Sequence, residues 1–178
     1  MAHFAKRDCC AQIAYHYQGR ERSGGHQGRA RMNGSNSYAQ RQTVANKGEI
    51  LFEEWCKFNG YQVRRVGFDE KNAYVDNFFN FSPLLRNLPD YIINKGDESL
   101  VVNVKGTANI KQKEIQMIPL FLEWFSTKKA PLVYAFCFEH CEPIFVYPER
   151  LMFMYDKSAN KKWHDGVVYR NINLMELV

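Results

Sequence analysis

Hydrophobic and polar positions form their clearest pattern between residues 88 and 107. Two apolar runs, residues 91–93 and 100–104, flank the polar sequence Asn-Lys-Gly-Asp-Glu. Within it, Gly96-Asp97 is typical of a two-residue hairpin turn. Counting outward from this turn predicts a register in which residue 95 pairs with residue 98 and residue 92 with residue 101. The same count puts Asp90 directly opposite Asn103.

The predicted register has a chemical consequence, because successive side chains of a strand point to opposite faces of the sheet. Asn103 and Lys105 then share a face with Asp90. The apolar residues Leu100, Val102 and Val104 point to the other face. We therefore expect an acid, an amide and an amine to form one polar patch on a sheet that is otherwise apolar.

The helical pattern that precedes the hairpin spans residues 42–59 and ends before Gly60, whose position suits a C-cap. On a helical wheel, Glu49 lies at the edge of the apolar arc, beside Phe52 and Cys56. Two interpretations of Glu49 stay open. It is either turned partly inward, or it is a solvated first-turn acid that favours the helix dipole.

The rest of the chain alternates between short strands and short helices, and residues 67–86 fit either a long loop or a further short helix. The order α, β, β, β, α, β, β predicts a mixed sheet flanked by helices. The predicted elements outside the hairpin and first helix are a strand at 61–66, a helix at 118–125 that begins around its proline, strands at 132–138 and 143–147, a proline-led helix at 148–155, and a strand at 167–172.

Length and composition set the scale of the molecule. The 178 residues, 46% of them hydrophobic, are enough for one well-packed domain, and we expect one domain plus a tail. No run approaches the roughly 18 uninterrupted apolar residues of a membrane span, and the N-terminus has charges where a signal peptide needs its apolar stretch. We expect a soluble, intracellular protein of the cytoplasm, or one associated with a nucleoid or a virus.

The net charge of +5 is unevenly distributed. Residues 1–47 carry eight basic and two acidic side chains, whereas the remaining 131 residues carry 16 basic and 17 acidic ones. We divide the chain into a basic, Gly- and Arg-rich arm at 1–45, disordered when alone, and a folded domain at 46–178. Arginines spaced along the arm can neutralise phosphates; a solubilising linker or a targeting extension are the alternatives. The predicted nucleic-acid contacts are Arg20, Arg22, Arg29, Arg31, Arg41, Lys111 and Lys113.

Three pieces of sequence in this order resemble the PD-(D/E)xK nuclease-like superfamily, which includes restriction enzymes, Holliday-junction resolvases and some homing endonucleases. They are Lys47-Gly48-Glu49 with Gly60 eleven residues after the glutamate, Pro89-Asp90, and the strand end from Val102 to Thr107 that contains Lys105. The resemblance covers about residues 47–138. It implies an α/β fold with a restriction-endonuclease-like αβββαβ core, in which a mixed central sheet is flanked by helices.

The resemblance also implies a function, namely metal-dependent hydrolysis of phosphodiester bonds in nucleic acid, DNA rather than RNA. Glu49, Asp90, Asn103 and Lys105 occupy the positions of the catalytic group. Hard Mg²⁺ or Mn²⁺ is held by carboxylates, carbonyls and water, so Asp90, Glu49 and the carbonyl of Val104 are the expected ligands. Lys105 would orient or deprotonate the attacking water and offset phosphate charge.

Asn103 departs from the pattern, which has Asp or Glu there. An amide oxygen can bind a hard cation but carries no charge, so the site is expected to hold metal more weakly. Glu114, nine residues after Lys105, can supply the missing carboxylate. If no acid substitutes, the alternative is a catalytically degenerate domain that binds nucleic acid or serves as a structural subunit of a virion or ribonucleoprotein. A homodimer is compatible with either function.

Overall fold

The computed structural model describes residues 34–67, 87–124, 130–163 and 166–177, with side chains from residue 43 to residue 176 of these ranges. The predicted contacts Arg20, Arg22, Arg29 and Arg31 lie outside the described residues, as does nearly all of the connection at 67–86. Arg41 lies in a described helix, but its side chain is not described. These predictions therefore stay predictions.

Three helices and eight strands make up the described part of the chain, which ends in a short 3-10 helix at Leu174–Leu177. Their order begins with the predicted α, β, β, β. The elements are α1 (Gly34–Phe58), β1 (Gln62–Arg65), β2 (Tyr91–Lys95), β3 (Glu98–Lys105), β4 (Asn109–Lys111), α2 (Gln112–Trp124), β5 (Leu132–Phe136), β6 (Ile144–Val146), α3 (Pro148–Lys157), β7 (Asn160–Lys162) and β8 (Val168–Asn171).

The main sheet has five strands in the order β1-β2-β3-β5-β6. Strands β2 and β3 pair antiparallel, β3 and β5 pair parallel, and the two edge strands are antiparallel to their neighbours. The parallel pair is joined through α2, as a crossover between parallel strands requires. The fold class is thus confirmed: a mixed sheet with an αβββαβ core, flanked by helices.

The hairpin has the register that its turn predicted. Lys95 pairs with Glu98 and Ile92 with Val101. Gly96 adopts a positive φ of 59°, which glycine accepts without steric cost and which a tight hairpin turn needs. The site of the polar patch is therefore fixed by local turn chemistry.

The main sheet is covered on both faces. On one face, α1 contributes Phe52 and Cys56 to a core that also contains Val102 and Val104 of β3. On the other face, α2 and α3 pack over a second core. Its fully buried large side chains include Ile110, Ile118, Phe121, Phe136, Leu151 and Tyr134. All five residues of β5 are buried, as expected for a parallel strand between two helical layers.

A small second sheet has the order β4-β8-β7, with both pairs antiparallel. Strand β4 follows directly after the end of β3 and leads into α2. Ile110 of β4 is fully buried in the core, so this sheet is attached beside the end of β3 where the polar patch lies.

Helix α1 begins at Gly34, eight residues before its predicted start, so it crosses residue 45, where we drew the boundary of the arm. Gly60, just after α1, has a φ of 73°. Amide hydrogens of Gly60 and Tyr61 bond back to the carbonyls of Lys57 and Cys56, which is the Schellman arrangement. The predicted C-cap is confirmed.

Helix α2 was predicted too late in the sequence. It begins at Gln112, so Pro119 lies inside it and not in its first turn. A proline inside a helix removes one backbone hydrogen bond and strains the preceding turn. Burial of Met117, Ile118 and Phe121 offsets that cost. The earlier start matters because it places Glu114 in the first turn of α2.

No helix among the described residues combines the length and apolarity needed to cross a bilayer.

Candidate functional site

A cavity of about 140 Å³ opens at the end of β3, between the main sheet and α2. Four of the residues singled out from the sequence line it: Asp90, Asn103, Lys105 and Glu114. Its remaining walls are Asn87, Leu88, Met117, Phe121 and Tyr134. The cavity therefore combines converging polar groups with apolar side chains.

Asp90 is held at the point where β2 begins. Its Oδ2 accepts a hydrogen bond of 2.6 Å from the backbone N–H of Val104, so the carboxylate occupies a ladder position next to β3. Its carbonyl accepts bonds from the amides of Val66 (2.9 Å) and Gly67 (3.2 Å). These contacts from two neighbouring segments fix the acid at the mouth of the hairpin.

Lys105 and Glu114 form an ion pair across the cavity. Lys105 Nζ lies 3.0 Å from Glu114 Oε2, and both side chains are largely shielded, with exposed fractions of 18% and 17%. Oε2 is buried, and its contact in the described part of the chain is the Lys105 ammonium group. Glu114 Oε1 lies 4.0 Å from Lys111 Nζ. One carboxylate thus faces two ammonium groups.

Burial and neighbouring charges shift the pKa values of the two central groups of the cavity. Burial raises the pKa of Asp90 to about 6, against the opposing effects of the Lys105 charge and the Val104 amide; Glu49 and Glu114 add to the increase. Burial alone lowers the pKa of Lys105, but attraction to Glu114, Asp90 and Glu49 outweighs it and raises this pKa. Without metal, Lys105 is therefore a cation at neutral pH, not a free amine.

Glu49 lies beside the cavity but does not line it. Its Oε2 pairs with Arg65 Nη2 of β1 at 2.5 Å, and its side chain is 20% exposed. The interpretation of Glu49 as partly inward therefore fits the structure better than a solvated acid. Its charge still affects the pKa values of Asp90 and Lys105, yet its carboxylate is turned towards an arginine. Its role as a metal ligand stays a prediction.

Two glycines allow α1 to approach the end of β3. A Cβ added to Gly48 would lie 2.7 Å from the Cα of Gly106, and one added to Gly106 would lie 2.3 Å from the carbonyl oxygen of Val44. No real side chain tolerates such distances from backbone atoms. The Gly48–Gly106 contact therefore places Glu49 next to Lys105 in space, although 56 positions separate them in sequence.

The donor set of the cavity fits a hard divalent cation. Asp90 and Glu114 are carboxylates that face one cavity, and Oε2 of Glu114 is held there by the charge of Lys105. Mg²⁺ is commonly held by one or two carboxylates, with water completing its coordination. In the described part of the chain, no three His, Cys, Asp or Glu side chains are grouped closely enough to share an ion. The residues thus fit a site completed by water or substrate and not an all-protein cage.

The other described residues predicted for the site are Val104, Lys111 and Lys113. Val104 contributes its N–H to Asp90, and ligation by its carbonyl stays a prediction. Lys111 lies at the end of β4 and Lys113 at the start of α2. Both side chains are exposed, which is compatible with nucleic-acid contact. Tyr134, which sequence reasoning missed, lines the cavity; only the long-range pairing of β3 with β5 brings it there.

Comparisons with known proteins add little to this geometry. No protein-family profile matches the sequence, and no curated protein matches it significantly. Among solved structures, the chain is similar to Hjc, a Holliday junction resolvase from the archaeal hyperthermophile Archaeoglobus fulgidus. The TM-score is 0.42 and the identity 14%, over 71% of this chain and 87% of that chain. A TM-score this low adds no support, so the fold class rests on the strand order.

Proposed function

We propose that the protein is a metal-dependent nuclease whose active site is the cavity at the end of β3. The observation that carries the proposal is the convergence of Asp90, Asn103, Lys105 and Glu114 on one cavity. Two acids, an amide and a lysine at the end of the central strand β3 and the start of α2 form a donor set suited to phosphodiester hydrolysis. The order of the sequence motifs supports the same assignment.

In this proposal, Asp90 and Glu114 would hold Mg²⁺ or Mn²⁺, which when bound supplies charge stabilisation for the phosphate and a more acidic water. Asp90 is oriented for this by the amide of Val104. Glu114 replaces the carboxylate that position 103 lacks. Asn103 contributes an amide that can accept or donate one hydrogen bond to water or phosphate.

Lys105 has a defined part in this scheme. Its raised pKa keeps Nζ protonated, so it would offset the charge that develops on the phosphate and donate a hydrogen bond to the attacking water. Glu114 holds that ammonium group in the cavity in the absence of substrate, at 3.0 Å. A phosphate entering the cavity would compete with Glu114 for Lys105 and free the carboxylate for metal.

Incubation with plasmid, branched DNA and RNA in Mg²⁺ or Mn²⁺ tests the proposal. We expect cleavage that EDTA stops and that Asp90→Ala or Lys105→Ala lowers by about 10²- to 10³-fold, the usual effect of removing one group that stabilises transition-state charge. Lys95→Ala, at the far end of the hairpin, is the matched control and should cut normally. Cleavage unaltered by both site substitutions would remove the assignment.

A second function is favoured by one specific observation. Asn103 lines the cavity where an acid is expected, and Glu49 is paired with Arg65. A domain with these features can bind nucleic acid without cutting it and serve as a binding or structural subunit. In that case no substrate is cleaved in either metal, and Asp90→Ala leaves nucleic-acid affinity unchanged.

A further inference from the structure

The outward face of the small sheet carries a row of alternating cations and aromatic rings. Lys111 of β4 lies opposite Tyr169 of β8, and Tyr169 lies opposite Lys161 of β7. Directly paired residues project to the same side of a sheet. The three side chains therefore form one row, lysine, tyrosine, lysine, across the three strands.

A tryptophan extends this row. Trp163 follows β7 two residues after Lys161 and stacks on Tyr169, with ring centroids 4.5 Å apart and an angle of 20° between the planes. Lys111 Nζ lies 6.0 Å from the centre of the Trp163 ring. Both rings remain partly exposed. We call the set Lys111, Lys161, Trp163 and Tyr169 the aromatic platform.

The opposite face of the small sheet anchors it to the rest of the fold. Ile110 is fully buried in the core. Arg170 lies over the ring of Tyr155 and donates to its carbonyl at 2.6 Å. The inward side chains thus anchor the sheet. The ten residues of its three strands include four basic residues and no acidic ones.

The platform is connected to the candidate active site by a single carboxylate. Glu114 lies 3.0 Å from Lys105 in the cavity and 4.0 Å from Lys111 on the platform. The platform and the cavity are therefore close enough for one bound strand to reach both. Cations that follow the backbone, combined with rings on which bases stack, are the features of surfaces that bind single-stranded nucleic acid.

We propose that the aromatic platform binds an unpaired segment of nucleic acid, with one base stacked on the Trp163–Tyr169 pair and neighbouring phosphates on Lys111 and Lys161. The inference rests on the proposed function in one respect: the segment it binds is the strand that enters the cavity. It narrows the substrate class to nucleic acids with a single-stranded part, such as flaps, gaps or branch points. A paired duplex offers no free base face to the rings.

Binding of fluorescein-labelled oligonucleotides, followed by anisotropy in EDTA, tests the platform on the full chain carrying Asp90→Asn, so that no strand is cut. We expect Trp163→Ala to weaken binding of a single strand by about 10- to 100-fold, the range for loss of one base–aromatic stack. Binding of the duplex of the same sequence should change less than about threefold. Lys161→Gln should lower the salt dependence of single-strand binding by about one phosphate contact.

Two controls separate the platform from general effects. Lys57→Gln with Lys95→Gln removes two exposed lysines at the end of α1 and at the hairpin turn, and should leave affinity unchanged. Trp163→Phe keeps a ring and should bind within about threefold of the Asp90→Asn parent, but the quenching of tryptophan fluorescence by the bound strand should decrease. Such quenching reports base contact and does not follow from a purely structural role.

The inference is overturned if Trp163→Ala binds single strands normally while folded by circular dichroism, if single strand and duplex lose affinity equally, or if the control pair weakens binding as much as Lys161→Gln. If Trp163→Ala fails to fold, Trp163→Phe decides: unchanged quenching overturns the inference. The proposed nuclease activity fails separately. In that case the protein cuts no substrate in Mg²⁺ or Mn²⁺, whereas platform binding is measured without metal.

Discussion

The two faces of β3 differ sharply in polarity. On the α1 face, Val102 and Val104 are buried in an apolar core with Phe52. On the α2 face, Asn103 and Lys105 line a polar cavity. Consecutive residues of one strand therefore serve different purposes, since each step along a strand reverses the face.

This difference teaches how the fold supports a charged site. Lys105 and Glu114 carry charges that are mostly withdrawn from water, and such groups cost free energy unless they are paired. The apolar face of the same strand supplies the rigidity that keeps them in place. We therefore expect substitutions on the α1 face to affect stability first and those on the α2 face to affect binding and activity first.

The largest expected effect on stability is at Phe52. Its side chain is fully buried and packs against Tyr91, with ring centroids 5.4 Å apart. Phe52→Ala should lower the free energy of unfolding by about 3–5 kcal/mol, through lost burial and the cavity that remains. Urea denaturation measures the change. A loss below about 1 kcal/mol, with an unchanged m-value, would contradict the apolar core assigned to this face.

Replacing Asp90 should stabilise the protein, unlike replacing Phe52, and the stabilisation should depend on pH because the pKa of Asp90 is raised. Because the folded protein holds the proton up to about pH 6 and the unfolded chain only to about pH 4, the contribution of Asp90 to stability is greatest below pH 4. It is lost as the pH rises through 6. In EDTA, Asp90→Asn should therefore raise Tm by about 5 °C at pH 7.5 and change it little at pH 4.

Thermal unfolding at the two pH values, with Asp97→Asn in the hairpin turn as control, measures this effect. A stabilisation by Asp90→Asn that is equal at pH 4 and pH 7.5 would show that ionisation of this carboxyl is not its cause.

The smallest of the expected effects is a change in metal affinity at Asn103, the position where the sequence pattern leads us to expect an acid. Asn103→Asp adds a carboxylate to the cavity and should tighten Mn²⁺ binding by about tenfold, since charge count tunes affinity for hard cations. Calorimetric titration measures the dissociation constant. Val102→Ala, one residue earlier but on the other face, should leave metal affinity unchanged. Unaltered affinity of Asn103→Asp would place the ion elsewhere.

Local signals in the sequence were enough to predict the hairpin and the polar side chains that meet at its end. The Gly96-Asp97 turn fixed the register, and the register paired Ile92 with Val101 as the structure has it. Two positions further, the same register puts Asp90 opposite Asn103, and both line the cavity. This part was predictable because a two-residue turn leaves no freedom in pairing.

Long-range contacts were not predictable in the same way. Glu49 forms an ion pair with Arg65 of β1. The helical wheel predicted that Glu49 is turned partly inward but could not identify this partner. The close approach of Gly48 to Gly106 depends on the path of a helix across a sheet. Strand β7 was missed because its three residues, all polar and exposed, have no hydrophobic alternation, and with it the aromatic platform was missed.

The most direct measurement is cleavage of branched DNA in Mn²⁺ by four proteins: the unchanged chain, Asp90→Ala, Glu114→Gln and Glu49→Gln. It asks whether the cavity on the α2 face is the active site. The account predicts that the unchanged chain cuts, that Asp90→Ala and Glu114→Gln lose at least about 10²-fold, and that Glu49→Gln, whose carboxylate lies outside the cavity, loses much less. Full activity of Asp90→Ala or Glu114→Gln, or no cleavage by the unchanged chain, would contradict it.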